Sequence, residues 1–367
     1  MKVALVQDWF VVNGGAEKVF REFVNLYPEA DVFGLVDFLN DRDRADILDG
    51  KNVTTTWIQK LPNAEKSFRN FLVLFPHAIR SLDLSSYDLI ISSSYAVAKG
   101  IRKSKNQMHI CYCHSPIRYA WDLRESYLSR LNPVKKALAG WMLDHVAQWD
   151  LKTNATVDHF IANSQNVAER IQRIYQRSST VIYPPVDTAA FTPQPNKSDY
   201  YFTSLRVVPY KRLDLIVDAF RHLPERKLIV AGDGPALAKI KSNAPPNVSF
   251  VGFVDKPTLV DYMRKAKAFI LAAEEDFGIT SLEAQSCLTP VIALRKGGYL
   301  ETVVDNKTGL FFDKQTVESL LDAIHRLEER VIPFEATDFE KNVKGFSPDR
   351  FRSEMQQFIK SHASNKA

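Results

Sequence analysis

A chain of 367 residues with a mass of 41.8 kDa is too long for one ordinary core and suits two domains. With 45% hydrophobic and 25% charged residues it is neither disordered nor fibrous, and no apolar run approaches the roughly 20 residues that cross a bilayer. The net charge of +5 suits phosphate-bearing ligands or an anionic membrane surface and is too small to argue for nucleic acid.

The chain opens on a strand, KVALVQ (2–7), that reaches Asp8 too soon for a secretory h-region, so the protein is expected to stay in the cytoplasm. Gly14 and Gly15 then precede a helix. Without side chains there, backbone N–H groups can approach a phosphate closely, and the helix N-terminus favours its charge; a turn serving only backbone geometry is the alternative. The spacing is not G-x-G-x-x-G, which speaks against a dinucleotide cofactor. Strands follow at 30–36 and 53–58, separated by DRDRAD (41–46), a solvated helical face and not a metal-binding D-x-D.

Residues 60–82 interleave Lys60, Lys66, Arg69 and Arg80 with Phe68, Phe71, Leu72 and Phe75. Inward packing explains such a mixture, and so does a helix lying in a membrane interface. Further strands are expected at 88–94, 108–113, 159–164 and 180–185. His114 ends the fifth of these first-domain strands, where a structural His is the alternative to a chemical one. Cys111, Cys113 and Cys287 read as reduced core thiols, because C-x-C alternates strand faces and makes no zinc spacing.

From 186 to 199 the chain turns to Pro, Asn and Ser, as a linker does, and a second series begins. Its strands are expected at 200–205, 227–232, 248–252, 268–273, 290–294 and 309–312, with helices at 212–223 and 316–330. A last helix at 347–362 opens on Ser347 and Pro348. Apolar strands alternating with helices predict parallel, doubly wound sheets. The expected domains are 1–190, 191–345, and a C-terminal segment, 346–367, packing back on the first. Ligands in such sheets sit beyond the carboxyl ends of the strands, and two of them leave a cleft between.

Two stretches of the second domain carry chemistry. In SLRVVPYKRLD (204–214), Arg206 and Lys211 leave a strand end as two cations able to balance a diphosphate, with a solvated loop as the alternative. In FILAAEEDFGITSLEAQSC (269–287), Glu274, Glu275 and Asp276 follow a buried strand and Glu283 follows in the next helix. Carboxylates accept from sugar hydroxyls, and the N–H groups of Phe277, Gly278, Ile279 and Thr280 could bind phosphate oxygens. An acid bias at a helix start accounts for Asp276 but not for all three acids.

Together these stretches resemble the retaining family-4 glycosyltransferases of the GT-B fold over nearly the whole chain. Glu275 and Glu283 match the family's E-x7-E, Gly14 and Gly15 its glycine pair, and Arg206 and Lys211 its R-x4-K. The resemblance implies an α/β chain of two Rossmann-like domains facing an inter-domain cleft, and a hexosyl transfer without metal or cofactor. It implies that Glu275 holds the donor sugar, Glu283 the ribose, Arg206 and Lys211 the leaving diphosphate, and Gly252, Phe253 and Val254 the base. His114 would face donor and acceptor. SSSYAVAKG (92–100), the stretch around His114 and AAEEDFGI resemble most the mannosyltransferases that build bacterial surface polysaccharides, O-antigen among them, from GDP-mannose. That implies a glycan or lipid-linked glycan acceptor and peripheral contact with an anionic membrane. A UDP- or ADP-sugar with a soluble acceptor, or a sugar-nucleotide epimerase, is the alternative. Asp276 and Thr280 depart from the family's usual Gly and Pro, and Thr280 is expected to cap its helix instead.

Overall fold

The computed structural model describes residues 1–129, 131–194 and 196–363. It divides into two compact units, Met1–Pro185 with Asp349–Ala367, and Val186–Pro348. The expected linker therefore begins the second unit five residues earlier than 190/191, where the Val186 N–H donates to Phe346 O (2.8 Å).

The first unit is built on a seven-stranded parallel sheet: β1 (Val3–Gln7), β2 (Asp31–Gly34), β3 (Val53–Thr55), β4 (Leu89–Ser94), β5 (Met108–Cys113), β6 (His159–Ala162) and β7 (Ser179–Val181). Their order, β3-β2-β1-β4-β5-β6-β7, reverses direction between β1 and β4. Alternate residues of β1 enter different cores, Val3 and Leu5 on one face and Ala4 and Val6 on the other. That is why its sequence reads as a continuous apolar run. The helix Pro348–Ala363 lays Phe351, Met355 and Phe358 into the first of these cores, against Phe23 and Tyr112. Cys111 and Cys113 are free and buried, as is Cys287 in the second unit.

The segment 53–82 differs from expectation. The strand stops at Thr55, and residues 57–79 form four short helical pieces rather than one interfacial helix. Phe68 and Phe75 turn inward against Trp9, with ring centroids 5.6 and 6.1 Å away, and Phe71 and Leu72 are half-buried. Packing accounts for the aromatic content that the sequence alone leaves open to a membrane.

The second unit carries β8 (Tyr200–Ser204), β9 (Lys227–Ala231), β10 (Val248–Gly252), β11 (Ala268–Leu271), β12 (Val291–Leu294) and β13 (Gly309–Phe312) in a parallel sheet ordered β10-β9-β8-β11-β12-β13. Here the direction reverses between β8 and β11. Helices Leu213–Arg221 and Val317–Glu328 bury Leu215, Ile216, Leu320 and Ala323 against one face of it.

Candidate active site

In a doubly wound sheet the strand-end loops diverge where the order reverses, and that divergence opens a crevice. In the second unit the diverging loops are those after β8 and β11, which carry Arg206 and Glu275. Arg206 is exposed, and Lys211 closes the short turn Pro209–Lys211. The Lys211 ammonium forms an ion pair with Glu275 Oε1, both side chains partly buried. The cation expected at a diphosphate and the carboxylate expected at a sugar therefore meet across the switch point.

The loop after β11 is shaped by its neighbours. Glu274 pairs with Lys296 (2.9 Å), and the Gly298 N–H donates to Glu275 O (2.9 Å). Gly297 has φ +66°, and a Cβ there would stand 2.5 Å from Glu275 O. Gly278 has φ +92°, and a Cβ there would meet the Tyr299 ring at 2.6 Å. Only glycine meets both demands at either position. Phe277 is buried, with its ring 5.6 Å from Phe346, so it presents backbone and not ring to a ligand.

Gly278 caps the helix Ile279–Ser286 in the left-handed region, and Thr280 lies second within that helix. The expectation of a Thr280 cap is corrected: an αL glycine turns the chain into the helix one residue too early for Thr280 to be the cap. The first amides of such a helix have no intrahelical acceptor, which leaves them able to face an anion. Glu283, in the same helix, is 4% exposed. Gly252 has φ +71° and turns the chain so that Phe253 stands 85% exposed at the end of β10, while Val254 packs against the core.

In the first unit the loops after β1 and β4 diverge. Asp8, fully buried at the end of β1, accepts from the N–H groups of Tyr95, Ala96, Val97 and Ala98 at 2.5 to 2.9 Å. Burial pushes its pKa up to about 6, against the pull of those four donors. It fixes the loop that follows β4. His114 sits beside that loop, with Nε2 2.8 Å from Ser93 Oγ and its ring 6.1 Å from Tyr95. Burial holds its pKa down at about 3, so it is neutral at pH 7. Gly14 and Gly15 open the helix Gly15–Leu26, and the Gly14 N–H donates to Glu17 Oε2 (3.1 Å).

Burial pushes the Glu17 pKa up to about 7. A neutral Glu17 also answers a second observation, since Gln7 Oε1 is buried without a donor and Gln7 Nε2 lies 3.4 Å from Glu17 Oε1. Turning the amide over lets Gln7 Oε1 accept the Glu17 proton. Asp8 and Glu17 were missed as site residues. The available signal was an acid placed directly after a buried strand and another in the first turn after two glycines.

Glu17 keeps its proton up to about pH 7 when folded and loses it near 4.5 when unfolded. Its contribution to stability is therefore fully present below about pH 4.5 and is lost as pH rises through 7. Glu17→Gln, which mimics the neutral acid, is expected to gain stability over the parent by up to about 3 kcal/mol at pH 8 and by much less at pH 5. Urea unfolding at the two pH values reads this, and an equal difference at both would show that Glu17 is ionised in the fold.

Two family models match consecutive parts of the chain: "Glycosyltransferase Family 4" over residues 13–190 and "Glycosyl transferases group 1" over residues 186–344. Among curated proteins the chain is similar to D-inositol 3-phosphate glycosyltransferase 2 of Catenulispora acidiphila, 34% identical in a match that covers 47% of this chain and 50% of that one. It is also similar to the D-inositol 3-phosphate glycosyltransferase of Jonesia denitrificans, 31% identical over 41% of this chain and 44% of the other. The chain thus spans about half the length of the curated relatives it matches. Among solved structures, sucrose-phosphate synthase from Thermosynechococcus elongatus superposes with a TM-score of 0.74 at 17% identity, covering 100% of both chains. Anabaena HepE in complex with UDP gives a TM-score of 0.70 at 18% identity, over 98% of this chain and 100% of that one. At these identities the likeness is one of fold, the GT-B pair of Rossmann-like domains.

Proposed function

The chain belongs to the family 4 glycosyltransferases of group 1, and we propose that it transfers a hexosyl group from a nucleotide-sugar donor to a hydroxyl acceptor with retention of anomeric configuration. The observation that carries this reading is the Lys211–Glu275 pair at the switch point of the second sheet. A donor diphosphate would draw Lys211 from Glu275 and free the carboxylate for sugar hydroxyls. Arg206, Lys211 and the amides at the start of Ile279–Ser286 would stabilise the charge growing on the leaving diphosphate. With two cations in this role the step needs no metal. Phe253 offers an exposed face to the base, and neutral His114 in the first unit can hydrogen-bond a sugar or acceptor hydroxyl without contributing charge.

We take GDP-mannose as the donor, supported by the stretches around His114 and Glu275, and a glycan or lipid-linked glycan of a surface polysaccharide as the acceptor. The HepE structure contains UDP, so UDP-sugars are the rival donors. Release of nucleoside diphosphate from GDP-mannose, UDP-glucose and ADP-glucose, with and without hydroxyl acceptors, tests both points. Turnover of UDP-glucose alone would overturn the GDP-mannose reading. Interconversion of the sugar nucleotide without an acceptor would make the chain an epimerase. Anomeric analysis of the product reads retention.

Glu275→Ala is expected to abolish most discrimination between sugars and leave the affinity for free GDP within about twofold, since its carboxylate meets the sugar. Glu283→Ala is expected to weaken GDP itself through the ribose. Calorimetry in which both variants lose GDP equally would remove this division of roles.

Besides 60–82, where Val73 and Leu74 are exposed at 37% and 39%, the start of the helix Pro133–Lys152 offers an apolar surface that suits a membrane-borne acceptor. There Val134, Leu138 and Trp141 recur at i, i+4 and i+7, exposed at 81%, 60% and 59%, beside Lys135 and Lys136. Aromatic and aliphatic groups flanked by cations fit an anionic lipid interface, at about 1 kcal/mol per cation. Flotation with anionic vesicles is expected to carry the protein at low salt and not the Leu138→Glu/Trp141→Glu variant; equal flotation of the two removes this helix as the dock.

A further inference from the structure

In the first unit the candidate site residues lie at the carboxyl ends of β1, β4 and β5. At the opposite, amino ends of β4 and β5 the first unit has a second concavity, a cleft of about 590 Å³, within the range of small-molecule sites. It is formed by the end of the helical piece Phe75–Ile79, the loop that leads into β4 at Leu89, and the loop that leads into β5 at Met108. The six residues of β4, at about 3.3 Å each, hold it roughly 20 Å from the His114 end.

The chemistry of the cleft is one-sided. His77, Arg80, Arg102 and Lys103 line it, with the hydroxyls of Ser81, Ser85 and Ser104 between them. The lone carboxylate in the lining, Asp83, already accepts from the Ser85 N–H (3.0 Å) and O–H (2.7 Å). Lys103 is paired with Asp158 at 2.5 Å. Among the described residues the side chains of His77, Arg80 and Arg102 make no hydrogen bond or ion pair. Two guanidinium groups kept beside one concavity without partners repel each other, so an anion placed between them gains from both.

The walls are also fixed in advance. Gln107, 4% exposed, donates through Nε2 to Leu84 O (2.5 Å) and Tyr87 O (2.7 Å) and accepts the Ser104 N–H on Oε1 (2.7 Å). One buried amide thereby ties the loop before β4 to the loop before β5, so the cleft does not have to be assembled by its ligand. No step of the proposed transfer uses these residues.

We infer that this cleft is a second binding site, for a phosphate-bearing ligand held by Arg80 and Arg102 with the Ser104 hydroxyl completing its shell. Planar guanidinium groups match phosphate oxygens two at a time. The ligand is either a free phosphorylated solute or a phospholipid headgroup, since both present the same oxygens.

The test uses the full chain carrying Arg206→Ala/Lys211→Ala, so that the proposed donor site does not contribute. Inorganic pyrophosphate is titrated by calorimetry into this protein and into the same protein with Arg80→Ser/Arg102→Ser added. Both arginines are exposed, so the fold should not suffer; a far-UV CD melt of each protein checks this. Weakening by about tenfold or more supports a site for a free solute. If pyrophosphate does not bind, but phosphatidylglycerol vesicles sediment the parent and not the arginine variant, the ligand is a headgroup. Equal behaviour of the two proteins toward both probes overturns the site. Because the donor site is disabled throughout, that failure is separable from failure of the transferase reading.

Discussion

Lys211→Ala is expected to slow sugar transfer by about 10²- to 10³-fold while the protein still folds. Lys211 leaves β8 through a short turn and reaches the carboxylate of Glu275 across the switch point of the sheet. A leaving nucleoside diphosphate gains charge as the glycosidic bond breaks. An ammonium already held in place stabilises that charge more in the transition state than in the ground state, by about 3 to 4 kcal/mol. The loss should fall on kcat more than on KM. Lys211 and Glu275 are both partly exposed, so breaking their pair has a small effect on stability. Steady-state rates with an unchanged melting temperature would meet this expectation. Near-normal turnover in Lys211→Ala and Arg206→Ala would remove both residues from the reaction.

The largest effect on stability is expected at a site with no role in transfer. Lys99 and Asp150 are buried at 2% and 0% side-chain exposure and pair at 2.9 Å. The Asp150 carboxylate also accepts from Trp121 Nε1–H (2.8 Å) and from the Tyr175 hydroxyl (2.8 Å). Lys99 Nζ donates in addition to Asp150 O and Thr153 Oγ1, both at 2.6 Å. Asp150→Ala strands the ammonium without its counter-charge and is expected to cost about 3 to 5 kcal/mol. Urea unfolding measures it, and a loss below about 1 kcal/mol would mean that water reaches Lys99. Replacing both partners, in Lys99→Met/Asp150→Leu, is expected to recover much of the loss, because no uncompensated charge remains.

The strands were legible because strands buried on both faces leave a continuous apolar record: AFILAA, PVIAL and GLFF show no polar alternation. Each of the thirteen strands among the described residues lies within a few residues of its expected place. The glycosyltransferase resemblance was carried by side chains at strand ends, where chemistry constrains residue type more than packing does. What the sequence hides is long-range pairing. Asp8 meets the amides of residues 95–98 from 87 to 90 positions away, and Lys99 meets Asp150 from 51. Neither acid has a local pattern that distinguishes it from a solvated one. Residues 60–82 misled for the same reason, since the partner that draws Phe68 and Phe75 inward is Trp9, some sixty residues earlier.

The central claim is that the second unit binds a sugar nucleotide through Arg206, Lys211 and Glu275. Thermal unfolding of the parent and of Lys211→Ala with GDP, UDP, ADP and their sugar conjugates tests it most directly. A ligand at a hundredfold excess over its Kd stabilises the fold by about 2.7 kcal/mol. The account predicts that a nucleoside diphosphate and its sugar conjugate raise the parent's melting temperature, and that the shift in Lys211→Ala is smaller at the same concentration. No shift with any of these ligands, or the same shift in both proteins, would contradict it.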